Sequence, residues 1–133
     1  MSNANIAFVQ GLYGAFGRND IANVIAGLSP DVDWQTIGPA NGFPIFGARK
    51  GNTAAGEFFK ALSDNVDFSA FSPQEFHGAG DKVFVLGSSA GKIKKTGKPF
   101  AVEWAHVFTV KGGRVTKFRE HTDSAQFVEG YRG

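Results

Sequence analysis

The chain has 133 residues and a formal net charge of +2, with 42% hydrophobic and 20% charged residues. These values describe one ordinary globular domain, long enough to bury a core, and the charge is too small to imply a nucleic-acid partner. The absence of cysteine excludes disulfides, thiolate nucleophiles and cysteine-based metal sites, and it suits a cytoplasmic setting. The N-terminus, MSNANIAFVQ, has neither a basic leader region nor a long apolar run, so no signal peptide, membrane span or membrane partner is expected. Fourteen phenylalanines stand against two tryptophans and two tyrosines. So many rings suit either a Phe-rich core or an apolar cavity.

Ile6, Val9, Tyr13 and Phe16 form one stripe of an amphipathic helix, weakened by Gly11 and Gly14. Asn19-Asp20 predicts a turn and N-cap, followed by a short helix bearing Ile21, Val24, Ile25 and Leu28 and ended by Ser29-Pro30. Val32 to Ile37 reads as a strand with Val32, Trp34 and Thr36 on one side. The next segment, GPANGFPIFG, carries apolar side chains in a Gly/Pro loop, which predicts a segment folded over something. Arg49 and Lys50 are expected in solvent. Asn52 or Thr53 can cap a third helix with Ala55, Phe58, Phe59 and Leu62 on one face.

Beyond Asp64 the pattern turns to strands. Val66 to His77 predicts one strand interrupted at Pro73, as at a bulge or an edge. Lys82 to Ile93 predicts the next, and Lys92, Lys94, Lys95 and Lys98 bracket a solvated turn. Val102 to Asp123 reads as a hairpin turning at Gly112-Gly113, a pair suited to the two positive φ values of a type I′ turn. Strict pairing about that turn sets Ala105 opposite Glu120, Val107 opposite Phe118 and Glu103 opposite Thr122. It leaves Trp104, His106 and Phe108 on the other face with Lys117, Arg119 and His121. A bulge of one residue exchanges the two sets. Helices followed by antiparallel strands give an α+β domain with the helices on one face of a curved sheet.

The order of LYGAFGRND, DVDWQTIGP, PIFGARKGNTAAGEFFKAL, FHGAGDKVFVLG and WAHVFTVKGGRV–REHTD resembles the SnoaL-like branch of the nuclear transport factor 2-like superfamily, across nearly the whole chain. That superfamily also holds ketosteroid isomerases and limonene-epoxide hydrolases. The resemblance implies a cone-shaped, curved antiparallel or mixed sheet wrapped around three helices from the N-terminal half, enclosing an apolar pocket. It further implies a homodimer formed through the sheets. The isomerases' general base falls at Thr36, their protonated acid at Ala105 and their oxyanion tyrosine at Leu12, one residue from Tyr13, so activity of that type is not expected. The hydrolases' arginine and one acid fall at Ser89 and Gly91. Only Glu120 matches that set in kind, with Trp34 and Thr36 where the family positions water. The acid/base of the SnoaL-type cyclases matches Asp123.

Glu120 and Asp123 are therefore the candidate catalytic residues. A desolvated Glu120 is expected to titrate above an ordinary carboxylate; the other reading of it is a paired or solvated acid. Asp123 can instead cap a short C-terminal turn. The candidate ligand-binding residues are Tyr13, Trp34, Thr36, Phe59, Ser89, Ala105, Phe118 and Thr122. The candidate dimer interface holds Trp104, His106, Phe108, Arg119 and His121. The three histidines have no metal-binding spacing, so neither metal nor cofactor is expected. The function expected is a pocket for a small hydrophobic molecule. One form is a cofactor-free isomerase, cyclase or hydrolase acting on a cyclic or polyketide-like compound; the alternative is a non-catalytic binding or accessory dimer.

Overall fold

A computed structural model describes residues 2–133. The chain runs α1 (Ser2–Gly17), α2 (Ile21–Ala26), β1 (Leu28–Thr36), β2 (Gly47–Lys50), α3 (Asn52–Asn65), β3 (Val66–Ala79), β4 (Lys82–Ile93), β5 (Pro99–Lys111), β6 (Arg114–Thr122) and α4 (Ser124–Arg132). The six strands form one mixed sheet in the order β2-β1-β6-β5-β4-β3. Every neighbouring pair is antiparallel except β1 and β6. The expected α+β architecture is observed, with α1 packed on β3 and β4, and α3 on β1 and β2. Register shifts in β1, twice in β3, and between β5 and β6 bend the sheet over the helices.

Periodicity located the helices well. Val9 and Ala55 are fully buried, and Phe58 and Phe59 nearly so. Asp20 caps α2 by accepting from the Asn23 backbone N–H at 3.3 Å. That helix stops earlier than expected. Gly27 is its C-cap, and Leu28, Ser29 and Pro30 already belong to β1, because Leu28 aligns with Val115 and the Val115 N–H donates to the Gly27 carbonyl at 2.8 Å. Nor does a side chain cap α3: Gly51, at φ 89°, precedes it. The 38–47 loop buries Phe43 and Ile45 and returns as the unexpected short strand β2 beside β1. Arg49 is only half-buried there and donates to the Pro44 carbonyl at 2.9 Å. Pro73 does lie on an edge strand, next to a register shift. The short C-terminal turn is a nine-residue helix, α4, whose Phe127 packs into the core.

The decisive departure lies in the hairpin. Gly112 and Gly113 turn with φ 59° and 76°, as expected. Lys111 pairs with Arg114 and Val110 with Val115, but Thr109 then pairs with Lys117. Thr116 is the extra residue, and it shifts everything beyond it by one. His106 therefore faces Glu120, Phe108 faces Phe118 and Trp104 faces Thr122. A period of two means that one inserted residue moves a whole strand face to the other side of the sheet. Here it gathers the aromatic residues and Glu120 inside and sends Lys117, Arg119 and His121 outside. Deleting Thr116 should restore strict pairing and drive Lys117 and Arg119 inward, at several kcal/mol for each unpaired charge. The expected result is loss of the cooperative thermal transition followed by circular dichroism.

Candidate active site

With that register, one row of inward side chains crosses the sheet. Thr36 on β1 aligns with Glu120 on β6, Glu120 with His106 on β5, and His106 with Val85 on β4. Thr36 Oγ1 donates to Glu120 Oε1 at 3.0 Å, and His106 Nε2 lies 2.9 Å from Glu120 Oε2. From above, the helix stripe of α1 lowers Tyr13 onto the row, its hydroxyl 2.6 Å from His106 Nδ1. The result is a continuous chain, Tyr13–His106–Glu120–Thr36. The side chains of His106 and Glu120 are only 6% and 14% exposed.

Burial pushes the Glu120 carboxyl up, but the charge of His106, its hydrogen bond, the Thr36 hydroxyl and the charge of His121 outweigh it and hold the group below its ordinary value. This reverses the expectation of a raised value, because Glu120 meets two donors rather than bare desolvation. Glu120 is thus ionised at neutral pH. An ionised carboxylate only accepts, so His106 Nε2 carries a hydrogen. In the neutral imidazole Nδ1 is then bare and takes the Tyr13 O–H. In the imidazolium Nδ1–H donates to the phenol oxygen, and the phenol hydrogen is free for an acceptor in the cavity. Burial, and then the Glu120 charge, push the Tyr13 phenol far above its usual range, so it works as a neutral phenol.

Trp104 locks the ring. Its indole stacks on the His106 imidazole at 3.9 Å between centroids and 14° between planes. It lies over Gly87, where a Cβ would come within 3 Å of both the indole and the Ser72 carbonyl, so only glycine fits. Trp34 stacks on Phe118 at 3.9 Å and packs against Phe58 and Phe59.

Trp34 and the Tyr13–His106–Glu120 row border an apolar cavity of about 80 Å³ between α1, α3 and the sheet, whereas Trp104 stands behind its wall. Tyr13, Trp34, Phe59, Ser89, Phe118 and Thr122 lie on its wall together with His106, Phe108 and Glu120. Thr36 stands behind Glu120, fully buried. Ala105 does not reach the site: in the shifted register it pairs with His121 and faces outward. Trp104, His106 and Phe108 were expected at a dimer interface, and for the same reason they are buried inside. Asp123 is exposed at the N-cap of α4, where its carboxylate accepts from the Gln126 side-chain amide at 3.0 Å, so it is not brought to the cavity. Arg119 lies on the outer side, 2.9 Å from the Asp33 carboxylate. Its hydrogen bond lowers the Asp33 carboxyl against the opposing effect of burial, helped by the charges of Arg119, Lys50 and Lys117. His121 is exposed. Leu12, Phe16, Phe68, Phe71 and Phe127 also line the cavity and were not singled out from the sequence. Their helical or strand periodicity marked some of them as apolar without saying what they enclose. Among the described residues no group of three or more His, Asp or Glu is placed to hold a metal ion, and no helix is long and apolar enough to cross a membrane.

The family model of the SnoaL-like domain matches residues 9–118. The chain belongs to the SnoaL-like family. Its fold agrees: an NTF2-like protein of unknown function from Burkholderia pseudomallei is 27% identical over the whole of both chains, with a TM-score of 0.88. A protein from Rhodopseudomonas palustris described only as a candidate isomerase is 25% identical, with 95% of this chain and 93% of that one covered and a TM-score of 0.78. TerC, crystallised with polyporic acid, shares the fold at 24% identity, with 97% of this chain and 98% of that one covered and a TM-score of 0.84. No curated protein matches this SnoaL-like chain.

The depressed Glu120 carboxyl makes a prediction about acid stability. A group whose folded value lies below its unfolded one contributes stability that is present above the ordinary carboxylate range and lost as pH falls through the folded value. Between pH 7 and pH 3 the urea midpoint of the wild type should therefore fall more steeply than that of Glu120→Gln. Parallel curves for the two proteins would contradict the pairing described here.

Proposed function

We propose that this SnoaL-like chain binds a small hydrophobic molecule and acts on it by cofactor-free acid/base chemistry, as an isomerase, cyclase or hydrolase of a cyclic or polyketide-like compound. The observation that carries this reading is the buried Tyr13–His106–Glu120–Thr36 chain on the wall of an apolar cavity. Tyr13, His106 and Glu120 all lie on the cavity wall, and we assign the contact with a ligand to the phenol at the outer end of the chain. A proton leaving a carbon next to a carbonyl passes to the Tyr13 oxygen as the phenol proton passes to His106 Nδ1. The imidazolium formed is stabilised by Glu120, and the reverse transfer delivers a proton to another atom of the enolate. Glu120 acts through His106, its second oxygen held by Thr36. The apolar wall excludes water, which strengthens each of these electrostatic contacts. The family assignment and the relative described as a candidate isomerase are consistent with this chemistry.

Deuterium exchange at the α-carbons of a panel of cyclic ketones in D2O, followed by NMR, tests the reading. Tyr13→Phe and Glu120→Gln should each slow exchange by roughly 10²- to 10⁴-fold, the usual contribution of a positioned acid/base group, while ligand affinity changes by only a few-fold. Exchange at wild-type rates in both variants would remove the relay from the mechanism.

A second reading, a non-catalytic binding or accessory protein, draws on two observations. Both Glu120 oxygens are already occupied, and about 80 Å³ is well below the ~300 Å³ at which drug-sized sites begin. A polycyclic compound would require wall aromatics to swing aside. Tight binding that is indifferent to Glu120→Gln, with no exchange, would select this reading.

In either case we place a homodimer contact on the outer face of the sheet. Phe84 and Leu86 are 38% and 42% exposed there, and Val107, Ala105, Arg119 and His121 continue the same two cross-strand rows. Leu86→Glu should shift the mass measured by light scattering from dimer to monomer while the thermal transition persists.

A further inference from the structure

We infer that Ser89 is a second recognition point of the cavity, and that the occupant is a neutral compound with a hydrogen-bonding group at each end, such as a cyclic keto-alcohol. This inference rests on the pocket reading above and adds a far end to the occupant. Among the described residues five polar ones are buried: Ser29, Thr36, Ser89, His106 and Thr109. Thr36 and His106 are bonded to Glu120, and Thr109 accepts from Lys82 at 2.6 Å. The Ser29 hydroxyl has no partner and is sealed from water. Ser89 differs from all four. Its hydroxyl has no hydrogen-bond partner among the described residues, and its oxygen is not sealed.

The strand fixes where this hydroxyl points. Along β4, Val83, Val85, Gly87, Ser89, Gly91 and Ile93 are buried while Phe84 and Leu86 are exposed, the period of two of a strand with one face inward. Ser89 therefore faces the helices, and it lies on the cavity wall with only 6% of the residue exposed. It is the one hydroxyl in an inward row otherwise made of valine, glycine and isoleucine. Buried hydroxyls are almost always answered. An open one on a cavity wall is answered by whatever fills the cavity.

Ser89 stands apart from the reactive row. Val85 is level with His106, whereas Ser89 lies further along β4, level with Phe71 on β3 and Val102 on β5. At about 3.3 Å per residue the two positions are roughly 13 Å apart along the strand, and the bend of the sheet brings their inward side chains closer than that. A guest whose carbonyl meets Tyr13 thus extends its opposite end toward Ser89, beside Phe71 and Phe68, which are also on the wall. Charge narrows the class. No lysine or arginine lies on the wall to receive a carboxylate, and the Glu120 oxygens that could receive an ammonium are taken by Thr36 and His106. A serine hydroxyl both donates and accepts, so the far group is a neutral hydroxyl or carbonyl.

The test compares probes built on one ring: 4-hydroxycyclohexanone, 4-methylcyclohexanone and 4-oxocyclohexanecarboxylate. Each is titrated by NMR into the wild type and into Ser89→Ala. The ratio of affinities, hydroxyl over methyl, should be roughly five- to tenfold higher in the wild type than in Ser89→Ala, the factor a net hydrogen bond supplies. The methyl probe should bind the two proteins alike. In the wild type the hydroxyl-bearing carbon should show Overhauser contacts to the Phe71 ring, which decides the matter even where the variant does not fold. An unchanged ratio, or a hydroxyl-bearing carbon seated against Phe118 rather than Phe71, would overturn the role of Ser89 and leave the pocket intact. Tighter binding of the carboxylate would overturn the neutral class. No binding of any probe at millimolar concentration would remove the pocket reading, and this inference with it.

Discussion

A carboxylate can be kept inside an aromatic core only when its oxygens are answered, because an unpaired buried charge costs several kcal/mol. Glu120 meets that condition with one hydroxyl and one imidazole, supplied by the two strands that flank β6. Much of the architecture follows from this requirement. β1 runs parallel to β6 in a register that brings Thr36 level with the carboxylate. β5 has to present His106 to it, and α1 has to close the chain with Tyr13. The parallel pairing is the only one in the sheet, and it is what brings a residue from the N-terminal half to the acid from the C-terminal half.

Much of this was legible in the sequence, and what was missed has one main cause. Helical stripes and strand alternation gave the helices of the N-terminal half, the four long strands after Asp64 and the inward face of Val32, Trp34 and Thr36, because burial imposes those periods directly. The turn at Gly112-Gly113 was legible for an equally local reason, the two positive φ values. The pairing beyond it was not, since one extra residue at Thr116 leaves no local mark. There was an indirect one. Strict pairing sets Lys117 and Arg119 beside Trp104 and Phe108, whereas a shift of one collects every ring on one side and every cation on the other. Weighing the energy of whole faces rather than single residues would have favoured the shift. Ala105, Trp104, His106 and Phe108 were all misassigned for this reason. Asp123 carried two readings, a site acid and a cap, because a capping position and a site position can share the same short motif, and only the path of α4 separates them.

The charge on Glu120 changes which residue deserves the chemical role. A desolvated acid alone would have been a proton donor or acceptor in its own right. Paired as it is, it is a fixed anion, and in the mechanism proposed above the exchangeable hydrogen is the one on Tyr13. The aromatic surroundings reinforce the arrangement, since an imidazolium stacked on the Trp104 indole gains from the electron-rich ring face.

Gly87 carries the least matter in the site and governs a good part of its shape. The indole of Trp104 rests where a β-carbon would be, so the depth to which that ring sinks into the sheet is set by a residue that never touches the cavity. Any side chain at this position would push the indole from its place against the His106 imidazole. A ring that stacks on the buried histidine is thus seated by a residue with no side chain of its own.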